Sequence, residues 1–197
     1  MKPIAISVLT ICGIEELPTH QKRSVTHVLS LIDPGWPELE AFRSYDRHHR
    51  TTLHFNDIID PQPGRTMPTR DDIASILQFG EELEASARDR DGEHDGGHLL
   101  VHCHMGVSRS TAAMLSLLAQ VHADENEDRL FERLRDIRPQ AWPNSVMVGY
   151  ADDLLGRGGR LVAALKRHYG RQVSRDPALA QWMIDLGRRR EVEMAED

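Results

Sequence analysis

The stretch VHCHMGVSRS, residues 101–110, decides the fold that we expect for this chain. It joins a short apolar run, His98–His102, to a second and longer run, Ser110–Val121, that is apolar nearly all round. The first run is typical of a buried strand and the second of a buried helix, so a loop between strand and helix is predicted. Backbone N–H groups in such a loop converge on one centre, which the positive end of the helix dipole also faces. The sequence therefore predicts a site for a phosphate-like anion.

Side chains of this loop add chemistry to the predicted anion site. Cys103 lies at its start, where N–H donors and a helix N-terminus favour the thiolate. Arg109 follows six residues later, and its planar guanidinium can bind two oxygens of the same anion. Gly106 allows a tight turn at mid-loop, while Ser110, and Ser108 as a further candidate, can hydrogen-bond the sulfur. A nucleophile and a cation that converge on one phosphate indicate covalent catalysis through a cysteinyl-phosphate.

The loop residues 103–109, called the signature loop below, also match a known pattern. His102, Cys103, Gly106, Arg109 and Ser110 complete His-Cys-x-x-Gly-x-x-Arg-Ser/Thr, which resembles the signature of protein tyrosine phosphatases. The serine before the arginine resembles the dual-specificity branch. The resemblance implies the cysteine phosphatase fold, a CX5R phosphate loop oriented by the histidine, and no cofactor. The residues expected to bind the phosphate are His104, Met105, Gly106, Val107, Ser108 and Arg109.

The resemblance further implies a general acid, an aspartate on a loop upstream of the signature loop. The candidates are Asp57 and Asp60, within the stretch Leu53–Pro61. Asp57 follows an asparagine, as the family's acid often does, so it is the preferred candidate and Asp60 the alternative. The acid must be protonated while the thiolate is charged, and it then acts as a base toward water. The alternative is that both aspartates are ordinary turn residues.

A second element downstream supports the same resemblance. The stretch RPQAWPN, residues 138–144, resembles an element of the dual-specificity fold in which an asparagine steadies the phosphate loop through its backbone. The match gives this role to Asn144, although a proline-bounded loop with an asparagine cap explains the same residues. With DIIDPQPG at residues 57–64, the chain resembles a group of small bacterial phosphatase-like proteins over roughly Ile4–Leu165.

Strand-like and helix-like segments alternate along the chain. The predicted strands are Ile4–Cys12, Val25–Ile32, Thr51–Phe55 and His98–His102, and the predicted helices are Pro37–Phe42, a helix capped by Thr69 that runs to Arg88, Ser110–Val121, Glu125–Ile137, Val146–Leu155, Leu161–Tyr169 and Pro177–Gly187. This alternation predicts a single α/β domain with a central, mostly parallel sheet of four or five strands flanked by helices. We expect the phosphatase domain at residues 1–169 and a helical extension with a charged tail at residues 170–197. The residues from Asp89 to Gly97 are expected to form an exposed acidic connection.

Composition narrows the partners and the compartment. The net charge of −7 argues against nucleic acid and anionic membranes, which attract basic surfaces. No window approaches the 18 apolar residues of a membrane span. Two cysteines make no disulfide framework, so a reduced, cytoplasmic protein is expected. The expected partner is a phosphorylated protein or a small phosphate ester, and the oligomeric state stays open.

Several alternatives remain at this stage. The chain has eleven histidines, but no spacing matches a structural zinc site, so no metal is expected. Cys12 suits a small buried hydrophobe, with a resolving thiol for oxidised Cys103 as the alternative. Two other functions also use this loop: a phosphate-binding pseudophosphatase and a rhodanese-like sulfurtransferase.

Overall fold

A parallel sheet lies at the centre of the computed structural model, which describes residues 6–88 and 97–196. Within these ranges the strands are β1 (Ile6–Cys12), β2 (His27–Ile32), β3 (His49–His54) and β4 (Gly97–His102). Their order is β1-β4-β2-β3, and every neighbouring pair is parallel. The predicted α/β domain with a mostly parallel sheet is confirmed, with four strands in the described residues.

Helices cover the sheet on both faces. The α-helices are α1 (Arg70–Arg88), α2 (Arg109–Val121), α3 (Glu127–Ile137), α4 (Ser145–Leu154), α5 (Arg160–Arg175), α6 (Pro177–Asp185) and α7 (Arg189–Glu193). Successive strand residues point to opposite faces, so Leu99 and Val101 of β4 join the main core under the α-helices. Leu100 points the other way, into a smaller core beneath two 3₁₀ helices, Ile14–His20 and Glu40–Ser44.

Some element boundaries differ from those predicted. Strand β3 starts at His49 rather than Thr51, because its backbone continues to pair with β2 at His27. Helix α3 starts two residues after Glu125, because the Asn126 side chain accepts from the Asp128 N–H at 2.9 Å and caps it. Residues 89–96 of the predicted acidic connection lie outside the described residues.

The C-terminal helices pack on the same core as the rest of the chain. The domain division expected after Tyr169 falls inside α5, which continues to Arg175. Tyr169 stacks on Trp142 with ring centroids 4.5 Å apart, and the Trp142 indole N–H donates to Glu191 of α7 at 2.8 Å. The helices of residues 170–196 therefore pack against the preceding part of the chain, and α7 lies in the stretch expected to be a charged tail.

The sheet brings the predicted site residues to one edge. The carboxyl ends of β1, β2, β3 and β4 are followed by Gly13, Asp33, Phe55 and Cys103. Because all the strands are parallel, these residues meet at the same edge, where open α/β sheets bind ligands. No helix in the described part of the chain is long and apolar enough to cross a membrane.

Candidate active site

The signature loop connects β4 to α2 and surrounds the sulfur of Cys103. The Gly106 N–H donates to the Cys103 Sγ at 3.3 Å, and the Ser110 Oγ lies 3.2 Å from the same sulfur. The Cys103 residue is only 2% exposed. The predicted contact with Ser110 is present, and a backbone donor and a hydroxyl thus face the predicted nucleophile at the N-terminus of α2.

Close backbone packing fixes the shape of the loop. Gly106 has φ +69°, and a Cβ added there would lie 2.5 Å from the Cys12 carbonyl carbon. A Cβ added at Gly13 would lie 2.9 Å from the His104 oxygen, which accepts from the Ile14 N–H at 3.0 Å. Both glycines therefore allow the loop to lie directly against the end of β1, and Gly106 also needs its left-handed backbone.

Arg138 ties the loop to the rest of the molecule. Its Nε donates to the Gly106 carbonyl at 3.0 Å and its Nη2 to the Met105 carbonyl at 3.3 Å. The same guanidinium forms a double hydrogen bond with Glu16, at 2.9 and 2.8 Å. The sequence prediction did not assign Arg138, although it opens the RPQAWPN stretch.

Arg109 crosses the carboxyl ends of β2 and β3. Its Nη1 donates to Asp33 Oδ1 at 2.7 Å and to the Phe55 carbonyl at 2.6 Å. The other oxygen of Asp33 accepts from Asn56 Nδ2 at 2.8 Å. Asp33 is a site residue that the sequence analysis did not assign; its position directly after a strand was the available signal.

His102, directly before the signature loop, and His104, within it, lie in different surroundings. His102 is buried, its Nε2 lies 2.7 Å from Ser30 Oγ, and burial above all lowers its pKa to about 3, so the ring is neutral. His104 lies at the rim, where its ring contacts the exposed Trp36 in a tilted arrangement, with 4.3 Å between centroids. Burial and then Arg109 lower the pKa of His104. Met105, 58% exposed, lies at the same rim.

Asp57 lies beside the signature loop, as predicted for the acid. Its Oδ1 accepts from Ser108 Oγ at 2.8 Å, Asn144 Nδ2 at 3.0 Å and Arg188 Nη1 at 2.9 Å. Burial alone would raise the pKa of Asp57. The charges of Arg188 and Arg109 and the hydrogen bonds outweigh burial and lower that pKa below its ordinary value. The carboxylate is therefore held in its charged form.

Asp60, the alternative acid, lies at the surface and away from these contacts. It is half-exposed and pairs with Arg190, with 2.6 Å between Oδ1 and Nη1. Arg190 also donates to the Ile59 carbonyl at 2.9 Å. Of the two candidates, Asp57 is the one that contacts the signature loop, through Ser108.

Asn144 and Ser108 make contacts other than those expected. The Asn144 amide donates to Asp57 and to the Ile58 carbonyl, and its Oδ1 caps α4, so it steadies the loop of Asp57 rather than the signature loop. The signature loop is contacted from this stretch by the backbone N–H of Trp142, which donates to the Val107 carbonyl at 2.8 Å. Ser108 donates to Asp57 rather than to the sulfur, because its side chain points toward the loop of Asp57.

Cys12 and the histidines that the structure describes form no further ligand set. Cys12 is a free, fully buried thiol, and burial above all raises its pKa to about 12. A resolving role for Cys12 stays a prediction. Among residues 6–88 and 97–196, no group of three or more His, Cys, Asp or Glu side chains is arranged to bind a metal ion.

Sequence relatives of this chain are phosphatases. No protein-family model matches the chain. It is 29% identical over 163 residues to human protein phosphatase Slingshot homolog 3 and 26% identical over 163 residues to the mouse protein. The match covers 81% of this chain but only 20% of either relative.

Solved structures share the fold over most of the chain. The human tyrosine phosphatase-like serine/threonine/tyrosine-interacting protein superposes with a TM-score of 0.54 at 18% identity, over 78% of this chain and 95% of that one. A mouse putative dual specificity phosphatase, solved with zinc tungstate, gives 0.53 at 19% identity, over 84% and 95%. Human DUSP28 gives 0.51 at 17% identity, over 79% and 96%.

These likenesses agree with the site geometry. The shared fold places a strand, a loop and a helix around Cys103, and that loop carries the complete signature pattern. The chain is thus similar in sequence to protein phosphatases, shares its fold with solved dual-specificity phosphatases and related proteins, and carries a complete signature pattern in the loop after β4.

Proposed function

We propose that this protein hydrolyses phosphomonoesters without a metal, through a cysteinyl-phosphate intermediate. The observation that carries the proposal is the surroundings of the Cys103 sulfur. That sulfur lies beneath the signature loop, 3.3 Å from the Gly106 nitrogen, with Arg109 at the other end of the same loop. A nucleophile, converging N–H donors and a guanidinium form a preorganised site for a transferring phosphoryl group.

In the first step the Cys103 thiolate attacks phosphorus, and the bond between phosphorus and the leaving oxygen breaks. The loop N–H groups of residues 104–109 and the Arg109 guanidinium bind the transferring oxygens. The buried Nε of Arg109 has no hydrogen-bond partner among the described residues, and a phosphate oxygen would satisfy it. Ser110, 3.2 Å from the sulfur, stabilises the thiolate when it later leaves.

Asp57 supplies and recovers one proton over the two steps. It donates the proton to the leaving oxygen, then takes one from the water that attacks the cysteinyl-phosphate. The products are an alcohol or phenol and inorganic phosphate, and Cys103 and Asp57 return to their starting states. A phosphate dianion bound beside Asp57 favours the protonated form needed in the first step, because like charges raise a carboxyl pKa.

The proposed substrates are phosphorylated proteins, with phosphotyrosine, phosphoserine or phosphothreonine as the reacting residue. Support comes from the relatives, which are called protein phosphatases, although this chain spans 20% of their length. Small phosphate esters fit the same chemistry. One feature favours the pseudophosphatase alternative: the charges of Arg188 and Arg109 and hydrogen bonds lower the pKa of Asp57, whereas an acid must start protonated.

The test is hydrolysis of p-nitrophenyl phosphate in the presence of EDTA. We expect wild-type turnover that Cys103→Ser abolishes. Cys12→Ser is the matched control, since it makes the same atomic change at the other buried cysteine and should retain turnover. A folded wild-type protein that binds phosphate without turnover would support the pseudophosphatase, and persulfide transfer from thiosulfate would support the sulfurtransferase.

A further inference from the structure

A buried arginine from the C-terminal part of the chain reaches the candidate active site. Arg188 lies between α6 and α7 and is 3% exposed. Its Nη1 donates to Asp57 Oδ1 at 2.9 Å and to Ser108 Oγ at 3.0 Å. It therefore contacts both the preferred general acid and the signature loop.

Other contacts fix Arg188 in place. Its Nη2 donates to Glu191 at 2.8 Å. Glu191 is itself buried and accepts from the Ser145 N–H at 2.7 Å and from the Trp142 indole at 2.8 Å. Through Glu191, Arg188 thus links Asp57 to the first turn of α4 and to α7.

The contacts of Asp57 are uneven between its two oxygens. Oδ1 accepts three hydrogen bonds, whereas no donor in the described residues reaches Oδ2. The titratable and charged groups that face Asp57 are Arg188, Arg109, His104 and Tyr169. Arg188 is the one of these four with a direct ion pair to Asp57.

We propose that Arg188 is a positioning residue of the candidate active site, which pins Asp57 through Oδ1, keeps it charged in the resting enzyme and leaves Oδ2 to exchange the proton. The inference rests on the proposed function and deepens it. Once Asp57 has given its proton to the leaving group, Arg188 holds it charged as the base of the second step. Protonation for the first step becomes limiting as the pH rises, above all for esters with poor leaving groups.

The experiment compares pH profiles of kcat for phenyl phosphate and p-nitrophenyl phosphate. For Arg188→Gln, we expect the alkaline limb with phenyl phosphate to move up by about 1 pH unit or more, since an adjacent opposite charge lowers a carboxyl pKa by that order. The shift should be smaller with p-nitrophenyl phosphate, whose leaving group needs little protonation. Arg188→Lys keeps the charge and should retain a limb close to that of the wild type.

Two neighbouring arginines provide controls. Arg189→Gln removes the same charge from an exposed position and should leave the limb where it is. Arg190→Gln breaks the ion pair with Asp60. A shift of the alkaline limb in this variant alone would assign the general acid to Asp60 and its partner to Arg190. An unshifted limb in a folded Arg188→Gln protein overturns the proposal, because a purely structural arginine changes stability and not the profile.

A second readout separates this proposal from the proposed function. The side-chain carboxyl ¹³C resonance of Asp57, assigned with Asp57→Asn, reports its protonation without turnover. We expect the titration midpoint to rise by about 1 pH unit or more in Arg188→Gln. If the wild type is inactive but the Asp57 midpoint still rises in Arg188→Gln, the phosphatase function is refuted and the pairing of Arg188 with Asp57 is retained. If the wild type shows Cys103-dependent activity but the midpoint does not rise in Arg188→Gln, the phosphatase function is retained and the role of Arg188 is refuted.

Discussion

Asp33 and Arg109 form an ion pair at the position where a phosphate is expected to bind. The Asp33 carboxylate lies 2.7 Å from Arg109 Nη1 and is about a quarter exposed. It therefore orients the guanidinium across the ends of β2 and β3, but its charge also repels a phosphate dianion. The same residue thus prepares the site and weakens its affinity for the anion.

We predict that Asp33→Asn tightens binding of inorganic phosphate as a competitive inhibitor. Removing one negative charge near a bound dianion should lower the inhibition constant by about tenfold, which corresponds to ~1.4 kcal/mol. Asp46→Asn is the control, since it removes the same charge at an exposed position before β3, at the opposite edge of the sheet. An unchanged or higher inhibition constant for Asp33→Asn would show that orientation of Arg109 outweighs repulsion.

At this scale the sequence predicted residues whose partners are close along the chain. Cys103 and Ser110 lie seven positions apart in the signature pattern, and the structure places them in contact. Asp33 and Arg188 pair with residues 76 and 131 positions away. Nothing local distinguishes Arg188 from its neighbours in a run of three arginines, so only the fold shows that it reaches Asp57.

At the scale of elements, the signature loop depends on a tether that no single element contains. Arg138 follows α3, Glu16 belongs to the 3₁₀ helix after β1, and both connect to the loop between β4 and α2. The Arg138 side chain is 14% exposed, so its pair with Glu16 is partly shielded from solvent. Charge-assisted double hydrogen bonds of this kind are geometrically specific.

We predict that Arg138→Gln lowers kcat for p-nitrophenyl phosphate by about tenfold, ~1.4 kcal/mol, because the N–H groups of the loop lose their fixed directions. Glu16→Gln should cost less, since Arg138 keeps its bonds to the loop carbonyls. Arg133→Gln breaks a similar pair of hydrogen bonds to Glu125 on the surface and should leave kcat unchanged. Equal losses in all three variants would indicate a general effect on stability.

The elements themselves were predictable to the extent that apolar periodicity marks them. β4 and α2 combine buried residues with the signature pattern, and their predicted positions agree with the structure to within one residue. Helix α7 was missed because RREVE has no apolar stripe. It is stabilised instead by the buried Glu191, which binds Trp142 and Ser145 on distant parts of the chain.

At the scale of the whole molecule, buried neutral histidines couple stability to pH. His168 of α5 is 1% exposed, and burial above all lowers its pKa from 6.5 to about 4. Its Nε2 donates to the Ala141 carbonyl at 2.9 Å, and its Nδ1 accepts from Arg135 at 3.2 Å. The neutral ring therefore satisfies both neighbours, and a second proton has no acceptor.

We predict that the free energy of unfolding decreases as the pH falls from 6.5 to about 4, because the unfolded chain binds a proton at His168 that the folded chain excludes. The difference amounts to ~3 kcal/mol across this window. In His168→Gln, denaturant unfolding should show a smaller slope with pH, whereas His54→Gln, at an exposed position, should retain the wild-type slope. An identical slope in His168→Gln would mean that this histidine does not contribute.

The strand order has a consequence for how the chain is made. β4 lies between β1 and β2, so the first strand has no neighbour in the sheet until residues 97–102 have been synthesised. On the ribosome, β2 and β3 can pair early, while the apolar side chains of β1 stay without a partner strand for much of translation. Chaperones bind such exposed strands, and parallel pairing across long loops is slow. The strand that leads into Cys103 is thus also the strand that closes the sheet, and the proposed nucleophile takes its place only when the domain core forms.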